Sequence, residues 1–517
     1  MLTILGVKAL IEEGRPEWIT KAEKETAILQ VHVNGIDADK YLEKIDIYEN
    51  ERQSSLRKKY FTSNRFLFEN LLRHVDKVFT AQGGSKFYNI SERNKTKLSD
   101  KLNSIRHGKP IRKWISSVQA NKYYSDPSGL VFFEWTSTET YPTIKSISSI
   151  YNYKANGRSV DWIIFQPEET NDGQVFRVVD EKSDRQFLWK NDEIKEIDRY
   201  SNPWGYVPAI INSDILSPTM EYFESPIQPI IELADKYLRT NSIKNVYEFL
   251  HGFPLFWAYA PKCKNCDGTG KVDGETCPVC LGDGNTFRKD VTDILKLRPP
   301  GDTDEPKLAP DVAGYVEPDS TTWTNQRTEL DWLWKIMHFT LWGTLTVEKA
   351  DRETALGRFL DIQPVNDRLS KFTDAFEYLE ERMTEIIGTF YFRNFKSATV
   401  NYGRIYMTET PDDAWNRYSK ARSEGVSKVL LNHYLLQYYQ SEFVNDSIKL
   451  LIYTKAIAVE PFVHKTDEEV IAFGDDLLKK KKIYFNEWWA SVDQAELISS
   501  TAEQLKISYK NYLDAII

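Results

Sequence analysis

Residues 324–390 read TNQRTELDWLWKIMHFTLWGTLTVEKADRETALGRFLDIQPVNDRLSKFTDAFEYLEERMTEIIGTF. The stretch divides into a helix, a short loop and a longer helix. Leu330, Leu333, Trp334, Met337 and Leu341 recur every three or four residues, which puts them on one helical face. Gly343-Thr344-Leu345-Thr346-Val347 breaks that pattern with a glycine and β-branched side chains. A second helix is expected from near Ala350, bent or interrupted at Pro364, whose ring lacks an N–H and crowds the preceding turn. Beyond it Val365, Leu369, Phe372, Phe376, Leu379, Met383, Ile386 and Phe390 alternate spacings of four and three, a continuous apolar seam. Periodicity alone fits two ordinary core helices equally well. The surrounding chain narrows the choice.

Just before this stretch, residues 251–323 are rich in Pro, Gly and Asp and hold all four cysteines. They read Cys263-Lys-Asn-Cys266-Asp-Gly268-Thr-Gly270 and Cys277-Pro-Val-Cys280-Leu-Gly282-Asp-Gly284. Two Cys-x-x-Cys pairs, each followed by Gly-x-Gly, bring four soft thiolates within reach of one tetrahedral ion. The glycines permit tight turns that aim backbone N–H groups at the sulfurs. One structural Zn2+ per chain on Cys263, Cys266, Cys277 and Cys280 is the expected cofactor; a redox pair or a metal-free vestige are the alternatives. Four thiolates close the coordination sphere, which argues against a catalytic metal. Between Pro261 and Asp290 the large apolar residues are Val272, Val279, Leu281 and Phe287, too few for a core, so the insert needs a staple. A strand is expected over 293–297, followed by turns through 299–310.

Further upstream, a helix is expected from Pro226 or Pro229 to Leu250, with Ile227, Ile230, Ile231, Ala234, Tyr237 and Leu238 as its stripe. Ser225 and Gln228 suit a capping box. Residues 113–200 carry short β-branched and aromatic runs at 130–133, 162–165, 175–179 and 187–189, separated by turn signals such as Asn156-Gly157, and read as an antiparallel β region. Residues 1–110 read mostly helical, most clearly over 64–79. Downstream of about Thr410 the chain is helical again, over 412–425, 428–441, 474–490 and 501–515, and Lys479–Lys482 reads as a solvated face rather than a DNA contact.

The whole chain has 517 residues, enough for several domains, and a net charge of -9. It is not basic enough to coat nucleic acid. No apolar run has the length of a membrane span, and Glu12 and Glu13 come too early for a signal peptide, so an intracellular chain is expected. Clustered cysteines argue against scattered disulfides. Aromatic content of 13%, including fourteen Trp, suits large packed surfaces and subunit interfaces. No phosphate-binding GxxxxGK[ST] loop, HExxH or GxSxG is present, the histidines are scattered, and no carboxylate pair stands out. An enzyme is therefore not expected.

Taken in order, these features resemble the portal proteins of tailed bacteriophages, the head-to-tail connectors. The resemblance covers about residues 50–460. It rests on the helix at 64–79, Trp162-Ile-Ile-Phe165, the Gly205-x-x-Pro208 turn before the helix 226–250, and Tyr315-Val316-Glu317-Pro318 after a variable insert. Thr354-Ala355-Leu356-Gly357 and Gln363-Pro-Val-Asn-Asp-Arg-Leu369 complete it. It implies an α+β, portal-like multidomain subunit: a wing over 1–220, stem helices within 221–250 and 324–342, and a clip over 251–323 with a zinc-ribbon insert at 261–290. A tunnel loop over 343–352, a kinked wing helix and return strand over 353–409 and a helical crown over 410–517 follow.

The resemblance further implies a ring of about twelve copies, a dodecamer, at one capsid vertex of the virion. Such a ring is assembled in the host cytoplasm and passes double-stranded DNA during packaging and ejection. Its partners would be the major capsid protein, the terminase large subunit and the head-tail adaptor or neck proteins, with no membrane involved. Thr344, Leu345, Thr346, Val347 and Lys349 are the candidate channel-loop residues, against the alternative of an ordinary surface connection. The acidic balance is compatible, because a channel must break every phosphate contact at each step.

The cysteine cluster departs from the portal pattern and resembles half of the cysteine-rich region of DnaJ co-chaperones, which repeats CxxCxGxG. A co-chaperone is one rival reading, but the chain has two repeats rather than four and no His-Pro-Asp tripeptide. A zinc-ribbon nucleic-acid binder is the other. Against it, Asp267, Asp273, Glu275 and Asp283 outnumber Lys262, Lys264 and Lys271 around the cysteines.

Overall fold

The long helix Ala355–Tyr391 is the element on which the first part of the chain assembles. The computed structural model describes residues 2–45, 51–251, 255–259, 262–284, 294–297, 313–316, 320–344, 355–406, 411–443, 446–472 and 476–516. The fold is mixed helix and sheet, α+β, in two units, Met1–Arg404 and Ile405–Ile517.

The seam of the long helix is buried: Val365, Leu369, Phe372, Phe376, Leu379, Met383 and Ile386 lie in the core, and Phe390 is half-buried. The expected interruption at Pro364 does not occur. A helical proline costs about 3 kcal/mol, whereas each large apolar side chain buried on this face contributes about 1.5–3 kcal/mol. Burial wins, and the helix runs through.

A second face of the helix is polar and equally engaged. Glu377 and Glu381, one turn apart, accept from Tyr402 N at 2.6 Å and Val400 N at 2.8 Å. These two N–H groups point to the same edge of strand Ser397–Ile405, because residues two apart share an edge. The strand also pairs with Gln82–Asn89. Glu380 is wholly buried and bridges Lys86, Arg112 at 3.5 Å and the Tyr402 hydroxyl at 2.5 Å.

The β region begins at Leu130; residues 111–125 are helical, with a π turn over Ile115–Gln119, where strand character was expected from 113. Leu130–Trp135 lies between Thr140–Lys145 and Ala209–Ile211 in a three-stranded sheet. Ile150–Asn156, Ser159–Phe165, Gly173–Asp180, Ser183–Lys190 and Glu193–Ser201 follow in order as an antiparallel meander, with Glu168–Thr170 added beside Gly173–Asp180. Ile19 and Ala22 of helix Glu17–Asn34 share a core with Leu130, Phe132, Ile150, Ile163 and Val179. A buried Arg185–Asp180 pair at 2.7 Å ties the N-terminus in, since Arg185 also donates to Leu2 O at 2.8 Å.

Two expectations change here. The helix over 64–79 is two helices, Arg65–Leu72 and Asp76–Thr80, joined by a 3-10 turn at Arg73–Val75. The capping box is absent: Ser225 Oγ accepts from Ile227 N at 3.4 Å, and Gln228 enters a 3-10 turn before helix Ile231–His251. Strand Leu255–Tyr259 runs parallel to Ile294–Leu297 and antiparallel to Ala313–Val316. A parallel pair demands a long crossover, and the cysteine segment lies in that connection.

The second unit is helical. Its elements include Pro411–Ser423, Lys428–Glu442, Ser447–Val459, Asp476–Ser491 and Ala502–Ile516. Phe485, Trp488, Leu505 and Tyr509 form one core, and Tyr418, Leu431 and Leu435 another. The lysine run is not wholly solvated: Lys482 is only 5% exposed and pairs with Glu460. The alkyl stem of lysine can pack in a core when its ammonium meets a carboxylate.

Candidate metal centre and the helix pair

The cysteine segment 262–284 is built as two copies of one hairpin, offset by fourteen residues (277 less 263). Cys263 N donates to Gly284 O and Cys277 N to Gly270 O, both at 2.9 Å, each bond mirroring the other. Side chains are excluded where the copies meet: a Cβ on Gly270 would lie 2.4 Å from Gly282 O, and one on Gly284 2.5 Å from Gly268 O. Both glycines also have positive φ.

This frame brings the expected ligands together. The four Sγ atoms lie within 4.8 Å of one another, and all four cysteines are buried. Cys263 and Cys277 sulfurs are 4.0 Å apart, and Cys266 and Cys280 sulfurs 3.5 Å. Tetrahedral zinc thiolate has sulfur–sulfur edges of about 3.8 Å from its bond length, whereas a disulfide needs about 2.05 Å. The thiols are free, and the donor set fits a closed four-sulfur metal site. Gly270 N and Gly284 N donate to Cys266 Sγ at 3.3 Å and Cys280 Sγ at 3.2 Å, as the Gly-x-Gly spacing implies.

One participant escaped the sequence reading. Asn265 donates its amide to Cys277 Sγ at 3.4 Å. That bond, with the N–H groups of Cys280 and Val279, holds the Cys277 thiol down to about 6. Position 279 of the second copy is Val, so the sequence repeat gives no sign of the contact.

Helices Ile231–His251 and Ser320–Trp342 form an antiparallel pair. Lys236 pairs with Glu329, and farther along Trp323 Nε1 donates to Glu248 at 2.8 Å. Leu330, Leu333, Met337 and Leu341 are buried, and Trp334 is half-buried. The second helix ends at Gly343, whose φ of 73° and bond to Phe339 O at 2.7 Å stop it. Of the candidate channel-loop residues only Thr344 is described; Leu345, Thr346, Val347 and Lys349 lie outside the described residues.

The root of that loop is fixed from three sides. His338 Nδ1 donates to Thr344 O at 2.9 Å. Trp342 is wholly buried and donates to Leu71 O at 2.8 Å. His74 sets its ring 5.1 Å from that of Trp342 and 5.9 Å from that of His338. Two histidines 264 residues apart (338 less 74) thus meet, and no local signal could pair them.

Burial, with Lys77, His338 and Arg73 nearby, pushes His74 from the ordinary 6.5 down to about 4. The unfolded chain therefore binds the extra proton between about pH 4 and 6.5. Stability from this group is full above 6.5 and is lost as pH falls toward 4. Allowing for partial exposure, the loss is on the order of 1–2 kcal/mol. In urea melts, His74→Gln is expected to flatten the acid limb by that amount; parallel pH profiles for the two proteins would refute this.

No protein-family model matches the chain, and no curated protein matches it in sequence.

Proposed function

We propose that this chain is a phage portal subunit with a structural zinc knob. It forms a ring at one capsid vertex, through which double-stranded DNA is packaged and ejected. The observation that carries the reading is the helix pair Ile231–His251 and Ser320–Trp342. Its second member ends in a fixed turn that leads, through the loop, into the long helix Ala355–Tyr391 of the wing-like body. A helix pair, a connection and a long helix in that order support reading them as stem, tunnel loop and wing helix. On this reading the loop after Thr344 faces DNA, the helices of 410–517 form the crown, and no residue has a catalytic role. The terminase large subunit, the neck or head-tail adaptor proteins and the major capsid protein are the partners.

Zinc is the metal proposed for Cys263, Cys266, Cys277 and Cys280. The four thiolates would hold it, and it would supply a cross-link rather than chemistry, since no ligand position stays open. The functional test is a chain with residues 345–350 replaced by a two-residue Gly-Ser link. Ring assembly should be intact, while packaging or retention of DNA falls at least about tenfold, the usual cost of losing a positioning element. Normal packaging would remove the loop from the mechanism.

A further inference from the structure

A cavity of about 430 Å³ opens where the C-terminal end of the long helix meets strand Thr140–Lys145 and the turn after helix Glu92–Asn103. Lys101, Arg106 and His107 line it, with one acid, Glu139. Both long cations are held on aromatic faces. The Lys101 ammonium lies 4.3 Å from the Tyr391 ring centroid, and the Arg106 guanidinium 4.7 Å from that of Tyr141.

These stacks are themselves tied down. Arg106 Nη1 donates to Pro142 O at 2.8 Å, and the Tyr391 hydroxyl accepts from Thr140 N at 3.2 Å. His107 and Gly108, with φ of 51° and 68°, are the central residues of a tight turn closed by Lys109 N to Arg106 O at 3.1 Å. That turn sets His107 at the cavity wall.

Among the described residues, none of Lys101, Arg106 and His107 forms an ion pair with a carboxylate, and Glu139 pairs with no cation. Cation–π contact positions a cation without neutralising it. Two cations, Lys101 and Arg106, thus converge without a carboxylate partner in a chain of net charge -9, and His107 Nε2 accepts from Arg106 Nε at 3.3 Å. The tyrosine faces are already covered by cations, so a ligand is recognised by its charge and oxygen acceptors rather than by stacking. A guanidinium with an ammonium beside it suits a phosphate.

We propose that this cavity is a phosphate-binding site, taking the phosphate of a small pyrophosphate-like molecule or of a nucleic-acid backbone. The site does not depend on the portal reading and stands if that reading fails.

The test uses the full chain at fixed ionic strength. Sodium pyrophosphate is titrated by calorimetry, and a 20-base-pair duplex by fluorescence anisotropy. Pyrophosphate should bind saturably, and Lys101→Gln should weaken it by about tenfold, in line with the loss of one charge-assisted contact. Lys101 is exposed and its ammonium rests on the Tyr391 ring at the surface, so the thermal midpoint should hold. Glu139→Gln should tighten binding. Lys97→Gln, one turn away on the same helix, should change nothing.

Duplex binding that competes with pyrophosphate and weakens by the same factor in Lys101→Gln supports the site and names the backbone as its source. Pyrophosphate binding alone supports it and names the small molecule. Absence of saturable binding of either probe, or equal weakening by Lys97→Gln and Lys101→Gln, overturns the proposal.

Discussion

Replacing Cys263 and Cys266 with Ser is expected to lower bound zinc from close to one ion per chain to none, and to unfold residues 262–284 while the rest of the chain keeps its structure. The expectation follows from what fills the knob. Its buried cluster is the four cysteines, with Val272 packed beside them. Val279 is 56% exposed and Leu281 74% exposed, so neither contributes a core, and Phe287 lies outside the described residues. Two short strands, Lys271–Val272 and Glu275–Thr276, cannot hold a fold alone. A structural zinc supplies on the order of 10 kcal/mol or more at neutral pH, which is more than any other contact in the segment offers. Elemental analysis gives the stoichiometry, and hydrogen exchange locates the unfolding. A metal-free wild type whose knob is fully protected, or a pair of disulfides in it, would defeat the account of this segment.

The second large effect is expected at Trp342. Trp342→Ala should cost about 3–5 kcal/mol for the lost packing, and about 1–3 kcal/mol more for leaving the Leu71 carbonyl unpaired. The ring fills the space between His74 and Phe372, at 5.1 and 5.9 Å from their rings. It seats the end of helix Ser320–Trp342 on residues 71–75, where the loop begins. Trp342→Phe keeps most of the packing and loses the N–H, so it should cost about 1–3 kcal/mol. Urea unfolding ranks the two variants, and exchange at 338–344 should accelerate in Trp342→Ala. A loss below about 1 kcal/mol in Trp342→Ala would mean that other contacts hold the loop root.

Where the sequence was legible, a strong period or a fixed chemical spacing made it so. The seam from Val365 to Ile386 and the stripe from Leu330 to Leu341 both mark buried faces. The Cys-x-x-Cys-x-Gly-x-Gly repeat specified the convergence of four sulfurs. What stayed hidden depends on contacts distant in sequence. Strand Gln82–Asn89, reading QGGSKFYN, has two glycines and weak strand propensity, and it pairs only because Ser397–Ile405 is presented to it. Helix Ser447–Val459 is apolar nearly all round, which erases the helical period; it buries Ile452 in one core and sets Ile457 against another. The burial of Lys482 required Glu460, twenty-two residues away, to be brought beside it.

The central claim is that copies of this chain close into a ring around a channel. It is tested most directly by the mass of the purified protein in solution, measured by light scattering across salt and protein concentration. One chain is 60.2 kDa, and about twelve would weigh roughly 720 kDa. The expected result is a single species near that mass that persists on dilution. A mass that stays at one or two chains under every condition would contradict the portal reading.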